Sequence, residues 1–91
     1  MQLATVIGSV WSTRKDERLI GMKLMVVKPI NNLGEDSSRD SFVAVDSIGA
    51  GIGETVLVVN GNSARVAANN DNAPVDAAIV GIIDDKETGK Q

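Results

Sequence analysis

The stretch Asp46-Ser-Ile-Gly-Ala-Gly-Ile-Gly-Glu-Thr-Val-Leu-Val-Val-Asn-Gly-Asn-Ser-Ala-Arg65 decides how this chain folds. Three glycines at alternate positions, Gly49, Gly51 and Gly53, separate two short runs, Phe42-Val43-Ala44-Val45 and Val56-Leu57-Val58-Val59. β-Branched runs of that length, bounded by turn residues, predict strands. Glycine at such density predicts a backbone that turns sharply, or one approached too closely for a Cβ. A dinucleotide fingerprint would need Gly-x-Gly-x-x-Gly opening a helix, and a Walker loop would need Lys-Ser or Lys-Thr after the glycines. Here the spacing is Gly-x-Gly-x-Gly and a strand follows. The glycines read as architecture.

Working outward, residues 2–12 form a first apolar segment. At period two, one face carries Leu3, Thr5, Ile7, Ser9 and Trp11, and the other Ala4, Val6, Gly8 and Val10. Neither face is polar, which predicts a strand covered on both sides for part of its length. A second strand is expected over 22–30, with Pro29 near its end, a third over 42–47 and a fourth over 54–60. Asn62 is a candidate N-cap for one helical turn, Ser63 to Ala68. The last strand, 77–83, is apolar on both faces, with Ala77, Ile79 and Ile83 on one and Ala78, Val80 and Ile82 on the other. The connections 13–21, 31–41 and 67–73 are polar, and in the first of them Arg14, Lys15, Asp16, Glu17 and Arg18 are expected to be solvated. Residues 85–91 form a charged tail, expected to be mobile.

Five short strands with little helix predict a mainly β fold, a small five-stranded antiparallel barrel occupying residues 1–84 as a single domain. Inward side chains fill so small a barrel, and outward ones should be polar. Val6, Val10 and Val80 exceed what one interior needs, and outward apolar strips mark contacts between proteins. An oligomer follows, without its number of subunits.

The 91 residues leave no room for a second core. Hydrophobic residues make up 43% of the chain but aromatics only 2%, so small branched aliphatics must supply the packing. Cysteine is absent, so no disulfide framework argues for secretion. No signal peptide or membrane-length apolar run is visible, which makes a soluble cytoplasmic protein the expectation. Histidine is absent too, which removes histidine-based triads and His or Cys metal sites. Carboxylates at Asp71, Asp76, Asp84 and Asp85 remain as a formal acid/base or oxygen-ligand set, but carboxylates in loops are usually solvated or capping. Asp36 and Asp40 lack the glycine and glutamate spacing of a calcium loop. An enzyme is not expected, nor a cofactor or metal. Net charge is −3 with scattered basic residues, whereas nucleic-acid binding wants a clustered basic face.

The middle section resembles the EutN/CcmL family of bacterial microcompartment vertex proteins. That resemblance rests on Val45-Asp46, Ile48-Gly49-Ala50-Gly51, Gly53-Glu54, Gly61, Ser63-Ala64-Arg65 and Pro74-Val75-Asp76, in this order. The opening is similar as well, with Leu3, Val6, Gly8 and Val10, then Lys23-Leu24-Met25-Val26-Val27. Asn62 departs from an expected serine, and Thr55 stands where the family often carries a bulky aromatic. The resemblance covers residues 1–84 and implies an OB-like barrel assembling as a homopentamer. It also implies hexameric shell proteins as partners and a place in the shell of a cytoplasmic compartment. Candidate subunit-interface or structural-motif residues are Asp46, Gly49, Gly51, Gly53, Glu54, Ser63, Arg65 and Asp76. Arg65 in particular could bridge to a carboxylate or carbonyl across a subunit boundary, where its planar fork fixes geometry. The alternative class is an OB-type module for single-stranded nucleic acid, which needs exposed aromatics and a basic groove.

Overall fold

Each of the five apolar runs becomes a strand. The computed structural model describes residues 1–11, 17–68 and 75–84. The strands are β1 (Gln2–Val10), β2 (Lys23–Pro29), β3 (Phe42–Asp46), β4 (Thr55–Asn60) and β5 (Ala77–Ile83). One helix, α1 (Asn62–Ala67), lies between β4 and β5, and a 3-10 turn, Glu17–Leu19, precedes β2. The strands close into a barrel in the order β1-β2-β3-β5-β4. β3 and β5 run parallel, and the other neighbours run antiparallel. The parallel pair departs from the antiparallel expectation; five strands that alternate in direction around a closed barrel must leave one parallel pair.

A five-stranded barrel has a narrow interior, and the sequence fills it with small side chains. Ala4, Val6, Met25, Val27, Ala44, Ala50, Val56, Val58, Ala77 and Ile79 form one buried cluster. Large and small residues face each other across the strands: Met25 is opposite Ala44, and Val56 is opposite Ala4. That pairing lets layers interdigitate without rings, which is how the chain folds with so few aromatics.

Two bulges bend the barrel wall. Between Val6 and Gly8, β1 carries Ile7 as an extra residue against β2; β5 likewise carries Val80 between Ile79 and Gly81 against β4. A bulge increases local twist and turns its extra residue out of the ladder, and Ile7 and Val80 are both exposed. The shift also reverses the facing expected at the end of β5: Ile82 packs on the barrel interior, rather than lying on the face of Val80. Val6, counted above among the outward surplus, is 1% exposed and belongs to the interior, because the bulge that turns the chain outward comes one residue later.

Part of the remaining surplus is covered within the chain. Val45, Val59 and Ala78 lie on the outside of the barrel, where Ala64 of α1 and Val75 close over them with help from Leu19, Met22 and Leu24. Burying an aliphatic side chain of this kind contributes about 1.5–3 kcal/mol, so this second cluster anchors a helix too short to be stable alone. Asn62 does not cap that helix. Gly61 occupies the N-cap position with φ +63°, and no side chain bonds to the first turn. Leu19, in the polar connection before β2, is drawn under the same cluster. Residues 12–16, most of the 67–73 connection and the 85–91 tail lie outside the described residues. Among the described residues, no helix is long and apolar enough to cross a membrane.

Candidate functional site

The glycine triplet forms the connection from β3 to β4, held at both ends by carboxylates. Asp46 ends β3 and is 2% exposed. Its Oδ1 accepts from the backbone N–H of Ile48 at 2.9 Å and of Gly49 at 3.3 Å, and its Oδ2 from that of Ala50 at 2.7 Å. A buried carboxylate needs such partners, and these three donors fix the first half of the loop. Glu54 fixes the second half. Its Oε1 accepts from the Gly51 N–H at 2.6 Å, and its own N–H donates to the Gly51 carbonyl at 3.1 Å. The loop is then tied to β1, since Val6 N–H donates to the Glu54 carbonyl at 2.9 Å and Gly53 N–H to the Val6 carbonyl at 2.8 Å. Ala50 joins the interior cluster, so the loop folds onto the barrel rather than away from it.

The three glycines answer two different demands. Gly49 and Gly53 have φ of +92° and +93°, a region that side chains avoid. Gly51 does not; there a Cβ would sit 3.3 Å from Glu54 Oε1, against the oxygen that holds the loop.

A second network surrounds α1. Arg65 donates from Nη1 to the Val75 carbonyl of its own chain at 3.2 Å. The next carbonyl, that of Asp76, accepts from the Gly61 N–H at 2.9 Å and from Asn60 Nδ2 at 3.4 Å. The start of β5 is thereby pinned to the end of β4 and to α1. Asp76 acts through its carbonyl while its side chain is exposed, and Ser63 is exposed on α1. The eight candidate residues thus fall into two local networks, Asp46 to Glu54 in one and Ser63, Arg65 and Asp76 around the other.

The carboxylates of the first network accept hydrogen bonds from their own backbone. Asp36, Asp40, Asp76 and Asp84 are exposed at separate places, and Asp71 and Asp85 lie outside the described residues. Among the described residues, no group of three or more acidic side chains is placed to hold a metal ion. Asn60-Gly61-Asn62 reads as the break that ends the fourth strand, but the N-cap was expected at Asn62 rather than Gly61, and Ile7 and Val80 were not anticipated as bulge residues. Asn-Gly is a turn signal that marks the break; nothing local marks the two bulges.

This arrangement defines an OB-like barrel whose polar motif residues hold its own backbone while apolar side chains stay exposed on its outside. The chain belongs to the EutN/CcmL family, matching the family described as ethanolamine utilisation protein EutN/carboxysome over residues 1–84. It is 48% identical over 87 residues to the microcompartment shell vertex protein PduN of Salmonella typhimurium, covering 92% of this chain and 96% of that one. A solved ethanolamine utilization protein, EutN, superposes with a TM-score of 0.93 at 41% identity, covering 100% of this chain and 94% of the other. The pentameric microcompartment shell protein GrpN from Rhodospirillum rubrum superposes at 0.85 with 43% identity, covering 97% and 99%.

Proposed function

We propose that this chain is the vertex subunit of a bacterial microcompartment shell, acting as a homopentamer. The observation that carries this reading is the family match across residues 1–84, supported by likeness over nearly the whole chain to proteins described as shell vertex or pentameric shell proteins. The role follows from geometry. A sheet of hexagonal tiles is flat and cannot close unless five-fold units interrupt it. Hexameric shell proteins are therefore the partners, and the shell within the cytoplasm is the location. The barrel supplies form rather than chemistry: its two motif carboxylates, Asp46 and Glu54, are engaged by backbone N–H groups, and no reaction is assigned to it.

The test is to co-express hexameric shell proteins with and without this chain and to examine the particles by electron microscopy. Facets should form in both cases. Without the chain, closure should fail and give elongated, open or leaky particles; adding it back should restore closure. Closed polyhedra in its absence, with no other pentamer present, would refute the assignment. The OB-like topology favours a second reading, a module for single-stranded nucleic acid. An acidic balance and two aromatic residues in the whole chain offer little for the stacking and basic groove such binding uses. Salt-dependent retention on a nucleic-acid column would favour that reading.

A further inference from the structure

Outward apolar residues of the strands that α1 leaves uncovered fall on two different walls of the barrel. The first is the outer face of β1, β4 and β5. Leu57 stands between Leu3 and Gly81, and Ile83 stands opposite Thr55. Their neighbours Ala4, Val56, Val58 and Ile82 turn into the barrel, so alternation sends Leu57 and Ile83 outward. The bulge residues Ile7 and Val80 extend this wall, with Ile7 51% exposed.

The second wall is the outer face of β2. Val26 stands opposite Val43, which is 45% exposed, and exposed Val10 adjoins them, while Met25, Val27 and Ala44 point inward. β1 serves both walls. Gln2 to Thr5 pair with β4 along one edge, while Ala4 to Val10 pair with β2 along the other, interrupted at the Ile7 bulge.

A two-fold dimer needs one self-complementary patch. A ring needs two unlike patches that meet head to tail, with the same contact repeated until it closes. We propose that the β1–β4–β5 wall of one copy is buried against the β2 wall of the next. This assignment rests on the pentameric reading above, to which the likeness to a pentameric shell protein lends the second copy as occupant.

Charge placed on either wall tests it. Ile7→Glu and Val43→Glu alter exposed side chains, so the barrel interior is untouched. Ser38→Glu, on the exposed 31–41 connection, is the control with the same added charge. By native mass spectrometry, wild type and Ser38→Glu should be pentamers, and each wall variant should be a monomer with an unchanged circular dichroism spectrum. Each wall variant retains the wall that the other has lost. An equal mixture should therefore give a heterodimer, held by one intact contact. A wall variant that stays pentameric, one that forms dimers alone, or a mixture that remains monomeric would overturn the assignment. Should a wall variant lose its β spectrum, Val80→Glu or Val10→Glu on the same wall is judged by the same outcomes. A monomeric wild type would instead remove the pentameric reading itself.

Discussion

Alanine placed at the three loop glycines should separate backbone strain from a side-chain collision. At Gly49 and Gly53 a Cβ meets no atom within 4 Å, so space is no obstacle. The penalty is conformational, because φ near +92° is sparsely populated by alanine, and such positions cost about 1–3 kcal/mol each. At Gly51 the conformation is permissive, but the Cβ would lie 3.3 Å from Glu54 Oε1 and press on the oxygen that accepts the Gly51 N–H. Glu54 is half-buried, so water can replace part of that bond, and the expected cost is about 1 kcal/mol, below the roughly 1.5–3 kcal/mol of a full bond to a charged group. The discriminating experiment is a double-mutant cycle with Glu54→Ala, measured by denaturant unfolding at one fixed protein concentration, since assembly contributes to apparent stability. Removing Glu54 should abolish most of the cost of Gly51→Ala and leave that of Gly49→Ala unchanged. In a chain of this length, 1 kcal/mol corresponds to roughly 4–8 °C in Tm, well within measurement. Additive behaviour of Gly51→Ala with Glu54→Ala, or Gly49→Ala and Gly53→Ala within about 0.5 kcal/mol of wild type, at the scale of ordinary surface changes, would refute the reasoning.

Asp46→Asn keeps the shape of the side chain but replaces one oxygen with a donor; whichever way the amide turns, at least one of the Ile48, Gly49 and Ala50 N–H groups faces it. A loss of about 1–3 kcal/mol, the cost of orphaning a buried donor, should appear together with faster hydrogen exchange at Ala50, and unchanged exchange there would count against the stapled loop. Arg65→Ala removes the bond to the Val75 carbonyl and should weaken the ring more than Lys86→Ala, which removes the same charge from the tail. Equal dissociation of the two variants by native mass spectrometry would make Arg65 an ordinary surface cation.

Most strand boundaries were legible because period-two apolar runs and turn residues are local signals. β5 was anticipated at 77–83, as observed, and β4 within one residue of its observed start. The parallel pairing of β3 with β5 was not legible, since it depends on how the barrel closes rather than on either strand. The two bulges were invisible for the same reason: an extra residue is defined only against a partner. That is why Val6 read as surplus and proves to be core. The glycine loop was readable as backbone because positive φ selects glycine, but not which glycines needed it. The role of Asp46 could have been read locally, since aspartate commonly bonds backbone N–H groups two residues on. The tie from Glu54 back to Gly51 needs the loop already folded.

Two-sided apolar strands carry an ambiguity that only the fold divides. Val45, Val59 and Ala78 are outward on the barrel yet buried, because α1 covers them. Ile7 and Val80 are outward and remain exposed. Strong curvature in a narrow five-stranded barrel is a reason to have bulges at those positions, and a bulged residue must leave the ladder. Curvature alone asks nothing of its side chain, and a polar residue would suit a solvated position better. Both bulges instead carry a β-branched aliphatic, beside Leu57 on one wall, so the barrel's geometry does not account for their identity. A surface that covers that wall does, and it would take up the apolar area the interior had no room for. Curvature and assembly are then served by the same two residues.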